Sequence, residues 1–123
     1  MAETKSTITS QTPEIESTLA RLSAYRNVRG VMVLKRAHHV ETAGDTQEGG
    51  IVQTTGSIFE REEGLKYAKA VEGIVDSVQK GVLLCEAGDE LKLMRIRTKR
   101  HELIITPELK DDKYVLVVLQ DPQ

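Results

Sequence analysis

One stretch of this chain restricts its fold more than any other. From Leu65 to Val82, Leu65, Ala68, Val71, Val75, Val78 and Val82 recur at helical spacing and share one face at about 100° per residue. Lys66, Lys69, Asp76 and Lys80 lie on roughly the opposite side. Between the two runs a third stripe of small residues, Ala70, Ser77 and Gly81, with Gly73 beside it and Tyr67 and Ile74 along its border. An aliphatic face of this length needs a sheet beneath it. The small stripe either faces solvent or admits a second backbone, and each Gly in it costs about 1 kcal/mol against Ala. Ser57-Ile58-Phe59-Glu60 has the form of a capping box, so the helix starts there or nearer Glu62, and Gly64 favours the later start.

The flanking segments supply the sheet. Thr12-Pro13-Glu14 combines a hydroxyl cap, a first-turn Pro and an acid, and Ile15, Leu19 and Leu22 follow on one side of a short helix ending near Arg26. Gly30-Val31-Met32-Val33-Leu34 is an unbroken apolar run, as expected of a strand covered on both faces. Residues 35–50 form a polar loop with Gly44, Gly49 and Gly50 as breakers, and 51–55 make a weaker strand near an edge. Beyond Gly88-Asp89 come a strand at 91–98, a polar turn at 98–101, a strand at 102–106 stopped by Pro107, and a central strand at 114–119. The order helix, two strands, long helix, three strands predicts an α+β domain over 12–123, with a five-stranded, mostly antiparallel sheet flanked by helices. Residues 1–11 are rich in Ser and Thr and read as a disordered tail.

Several function classes lose support. The net charge of -2 argues against a general nucleic-acid binder. The single Cys, Cys85, allows no intrachain disulfide framework and fits a reducing compartment. No apolar run reaches the ~18 residues of a membrane span, and the polar start has no signal-like run, so the expectation is a soluble intracellular protein. There is no phosphate-binding Gly-Lys-Ser/Thr loop and no Gly-x-Gly-x-x-Gly. His38 and His39 are adjacent, unlike the i, i+4 pair of a helical zinc site, and read as solvated loop residues. Cys85 has Glu86 beside it and no basic neighbour to favour the thiolate. No catalytic, cofactor-binding or metal-binding set emerges, and the expectation is a protein that is not an enzyme.

The remaining charged feature is Arg95-Ile96-Arg97-Thr98-Lys99-Arg100-His101. Alternation sets Arg95 and Arg97 on one face of a strand, and Met94, Ile96 and Thr98 on the other. The segment lacks aromatic residues for base stacking. It reads first as a solvated hairpin tip, next as a contact for an acidic partner segment, and last as a nucleic-acid contact.

The run Met94-Arg95-Ile96-Arg97-Thr98-Lys99-Arg100-His101-Glu102-Leu103-Ile104-Ile105-Thr106-Pro107 resembles the hairpin signature of the roadblock dynein light chains. Val28-Arg29-Gly30-Val31-Met32-Val33 resembles that family's first strand, and Val117-Val118-Leu119-Gln120-Asp121-Pro122 its last. The resemblance implies the roadblock/profilin-like α-β-β-α-β-β-β order and a homodimer. In that dimer the long helices pair and the strand at 91–98 meets its twin, so Tyr67, Ala70, Ile74, Ser77, Gly81, Leu91, Leu93, Met94 and Ile96 would form the interface. Arg95, Arg97, Lys99 and Arg100 would bind the partner. The implied function is that of a non-catalytic light chain of the dynein motor, cytoplasmic and cytoskeleton-associated. It would bind the dynein intermediate chain and support microtubule-based transport, without cofactors, nucleic acid or membrane insertion. The alternative on the same fold is a regulator or scaffold of small GTPases. The loop at 35–50 is longer than in the family, and the tail at 1–11 is extra.

Overall fold

The computed structural model describes residues 12–36, 38–39, 46–47, 50–109 and 114–122. The expected tail at 1–11 lies outside the described residues, as does part of the 35–50 loop. The elements in chain order are α1 (Thr12–Ser23), β1 (Val28–Lys35), β2 (His38–His39), β3 (Thr46–Gln47), β4 (Gly50–Thr55), a 3-10 turn (Ser57–Phe59), α2 (Arg61–Cys85), β5 (Met94–Arg97), β6 (Glu102–Leu109) and β7 (Tyr114–Gln120). Five strands form one sheet in the order β4-β1-β7-β6-β5, and every neighbouring pair is antiparallel. The domain is α+β, with a helix on each face of the sheet.

The apolar runs explain the two-sided core. In β1, Val31 and Val33 pack with Ile15 and Leu19 of α1, while Met32 and Leu34 pack with Ala68, Val71 and Val75 of α2. Four successive residues are thus buried because each face of the strand has its own layer. β7 does the same: Val115, Val117 and Leu119 join the α2 side and Val118 the α1 side. Its place in the middle of the sheet follows from that run. Phe59 brings a large ring under the start of α2, where it meets Tyr67 edge to face at 5.3 Å between centroids. Burying a side chain of this size contributes about 1.5–3 kcal/mol.

Several expectations are corrected in detail. α1 ends at Ser23 rather than near Arg26. Of the two possible starts of the long helix, the later one that Gly64 favours is the one found: Ser57 opens the 3-10 turn and α2 begins at Arg61. Leu65 is 63% exposed instead of packing on the sheet. The axis of the buried face runs through Gly64, Ala68, Val71 and Val75, and Leu65 is turned off it by one helical step, about 100°. Gly64 holds its place because a Cβ there would collide with the carbonyl oxygen of Phe59. Within the 35–50 loop, β2 and β3 pair as a short ladder of two residue pairs. The strand expected over 91–98 is confined to Met94–Arg97. β6 does not stop at Pro107 but runs through it to Leu109, because the register with β7 shifts between Thr106 and Leu109 and Pro107 sits at that irregularity.

Candidate interaction surfaces

The hairpin of β5 and β6 is closed by Thr98 and His101. Thr98 N donates to His101 O at 2.8 Å, Thr98 Oγ1 to the same carbonyl at 3.2 Å, and His101 N to Thr98 Oγ1 at 3.1 Å. Lys99 and Arg100 stand exposed at the tip. Along β5 the side chains alternate: Met94 and Ile96 pack against the α2-side core, and Arg95 and Arg97 are exposed on the α1 side. Among the described residues β5 is the outermost strand, with β6 on one flank and no strand on the other. The Thr98 N–H faces His101 O across the hairpin, so antiparallel alternation makes Ile96 and Leu103 the next residues whose backbone groups face each other. The backbone N–H and C=O groups of Arg95 and Arg97 therefore point out of the sheet edge.

Sequence reasoning missed Glu102. It is only 6% exposed, and one carboxylate oxygen accepts from Arg95 Nη2 and from Gln120 Nε2, each at 2.7 Å. The hydrogen bond from Arg95 and then that from Gln120 hold its carboxyl below the ordinary glutamate range, against the opposing effect of burial. The available signal was an acid at the start of an otherwise apolar strand, opposite an arginine-rich one. Arg95 is thereby partly committed within the chain. Arg97 adds a weaker, longer-range attraction to Glu102.

A second pair ties the start of β1 to the segment that follows β7. A β-bulge between Val28 and Gly30 turns Arg29 toward Asp121, which it meets with two hydrogen bonds of 2.8 and 2.9 Å. Asp121 N also donates to Asn27 O at 2.8 Å. The Val-Arg-Gly and Gln-Asp-Pro segments, far apart in sequence, are thus neighbours. The fork raises the Arg29 pKa and lowers that of Asp121.

The outer face of α2 is the other surface. Ala70, Gly73, Ser77 and Gly81 are exposed, and a Cβ on Gly73 or Gly81 would meet nothing within 4 Å. Tyr67 and Ile74 are half-buried along the border, with Tyr67 already packed on the core. Lys80 pairs with Asp76 at 3.0 Å and Lys66 with Glu63 at 3.7 Å. At the helix end Leu84 is 88% exposed, with Leu83 and Leu93 also open. Gln79 Oε1 accepts from Leu91 N at 2.9 Å and fastens the segment leading to β5, and Leu91 covers part of the core. Of the residues expected at an interface, Ala70, Ser77, Gly81 and Leu93 are exposed, while Tyr67, Ile74, Leu91, Met94 and Ile96 are half-buried.

Cys85 is exposed and free at the end of α2. Among the described residues no three His, Cys, Asp or Glu side chains come together as a metal site, and no helix is long and apolar enough to cross a membrane. Models of known protein families give no match to this chain.

Proposed function

We propose that the chain is a non-catalytic light-chain subunit of the dynein motor complex, a homodimer that binds the dynein intermediate chain and supports microtubule-based transport in the cytoplasm. The observation that carries this reading is the coexistence of an open β5 edge with a small-residue stripe on α2. Each is a liability in an isolated domain. An open edge invites uncontrolled strand pairing, and two helical glycines without close contacts lower helix stability by about 1 kcal/mol each. Pairing with a twin removes both, extending the sheet across two subunits and letting the helices approach. The hairpin and terminal-strand sequences that resemble the roadblock light chains support the same reading. A dimer also presents two equivalent binding surfaces, so a bivalent partner is held by effective concentration as well as by contact.

The test is affinity capture of the tagged full chain from its own cells, with the bound proteins identified by mass spectrometry. Recovery of dynein intermediate and heavy chains is the expected result. Recovery of a small GTPase or its scaffold without dynein would overturn the light-chain reading in favour of the alternative role.

A further inference from the structure

A five-stranded sheet at about 4.8 Å per strand is roughly 19 Å across, wide enough for two helices of ~10 Å side by side. On one face α1 occupies half of that width. It lies over β1 and β4, and Ile15 and Leu19 meet Val31, Val33 and Val118. Beyond Val118, the strip over β6 and the rest of β7 has no helix laid across it among the described residues. It forms an open groove of about 360 Å³ between Leu22 and Tyr25 of the α1 end and a floor of Ile104, Thr106, Leu116 and Val118. The floor is flat because Ile104 opposes Val118 and Thr106 opposes Leu116. Two strands are ~10 Å wide, the diameter of one helix.

The rim of the groove is cationic. Arg95 opposes Ile104 and Arg97 opposes Glu102, so both arginines rise on this face just beyond the floor. Of the two arginines, Arg95 reaches Glu102 at hydrogen-bond distance, while Arg97 acts on it only at longer range. On the other bank Arg26 follows Tyr25 and is exposed. A second copy of the same face would set cations against cations. Residues 1–11 hold one branched apolar residue, Ile8, and cannot supply an apolar stripe. We propose that this groove docks an amphipathic helix of a partner protein. Its apolar stripe fills the trough and its acidic flank lies over Arg95 and Arg97. The seven residues of β7 span about 24 Å, the length of roughly 16 helical residues. The inference deepens the light-chain reading by giving the chemistry of the partner, and rests on that reading for the existence of one.

The experiment titrates methyl-labelled full chain with a designed helical peptide of about 16 residues, carrying Leu at helical spacing and Glu along one flank. A second peptide replaces every Glu by Lys. The expected result is saturable movement of the Leu22, Ile104, Leu116 and Val118 methyl signals with the acidic peptide. Binding should weaken about tenfold or more with the basic peptide, or in Arg97→Glu, by reversal of a close charge contact. Equal binding of both peptides, movement at Leu83 and Leu84 instead, or no saturation would overturn the proposal. Movement of the groove methyls on deleting residues 1–11 would overturn it too, by showing the chain's own tail in the trough. Capture with the Tyr25→Asp, Arg97→Glu double variant separates the two readings. Dynein retained by that variant sinks the groove and leaves the light chain standing. Groove methyls that respond in a protein that recovers no dynein sink the light chain alone.

Discussion

Gln120 faces Glu102 across β7 and β6 and donates its side-chain amide to Glu102 Oε1 at 2.7 Å, the same oxygen that Arg95 reaches from β5. Three adjacent strands are thereby joined through one buried acid. This cluster closes one end of the α1-side groove and fixes Arg95 at its rim.

The acid limb of stability should report on that cluster. The hydrogen bonds from Arg95 and Gln120 lower the Glu102 pKa from its ordinary value of 4.5. Below that value the unfolded chain binds the proton more readily than the folded one, so stability rises with pH in that window. The contribution is complete above the ordinary value and is lost as pH falls through the folded one. Urea unfolding of the parent and Glu102→Gln, from neutral pH to about pH 3, should show a stability gap that closes in acid. A gap that stays constant would mean that the carboxylate is not preferentially held in the folded state.

The two kinds of helical glycine should respond in opposite directions. Gly64→Ala places a methyl group against the Phe59 carbonyl, and overpacking of that kind destabilises by about 1–3 kcal/mol. Gly73→Ala meets nothing and should stabilise the helix by about 0.5–1 kcal/mol. Chemical denaturation of protein diluted to the monomer measures both. Equal effects would contradict the placement of α2 over the 3-10 turn.

Arg61 opens α2 with φ of 54°, in the left-handed region that a side chain disfavours by roughly 1–2 kcal/mol. Arg61→Gly should raise the unfolding free energy by about 0.5–1 kcal/mol, once the added freedom of the unfolded chain is subtracted. A destabilised variant would show that the Arg61 side chain contributes more than its backbone loses.

Much of this arrangement was legible from period and run length. The continuous apolar run at 30–34 read as a strand covered on both faces and that at 114–119 as a central strand, and both faces of each find a helical layer. The weaker run at 51–55 read as an edge, where one residue, Val52, bulges outward. What was hidden depended on contacts distant in sequence. Leu65 looked like core until Phe59, folded back by the 3-10 turn, claimed the position beside Gly64. Glu102 looked like no more than the first residue of a strand until Gln120 and Arg95 arrived from two other strands. Pro107 looked like a strand end because the register shift that accommodates it belongs to the pairing with β7.

The stripe on α2 has its own test. Gly81 is exposed, so Gly81→Arg changes no described contact within the chain. Helix propensity improves with the change, by up to about 1 kcal/mol. If two α2 helices pair through the stripe, the variant inserts bulk and charge between them and should run as a monomer in light scattering while unfolding no earlier than the parent diluted to the monomer. A dimer that survives would remove the stripe from the interface.

The open edge of β5 can be tested without disturbing its hairpin. The Arg97 N–H points away from β6, so Arg97→Pro removes a donor that no described group of the chain accepts. Proline is tolerated at such edge positions, where its missing donor belongs to the solvent side. Thr98 and His101 continue to close the turn, and Met94 and Ile96 continue to cover the core. A chain that works alone should therefore keep its mass in solution and lose little stability, within about 1 kcal/mol. A chain whose β5 pairs with a twin loses one ladder hydrogen bond at each of two symmetry-related positions and gains a ring against the partner strand. Its dissociation constant should then rise at least about tenfold, or 1.4 kcal/mol. Sedimentation equilibrium over a range of concentrations distinguishes these outcomes. Unchanged association would place the twin contact, if there is one, on α2 alone.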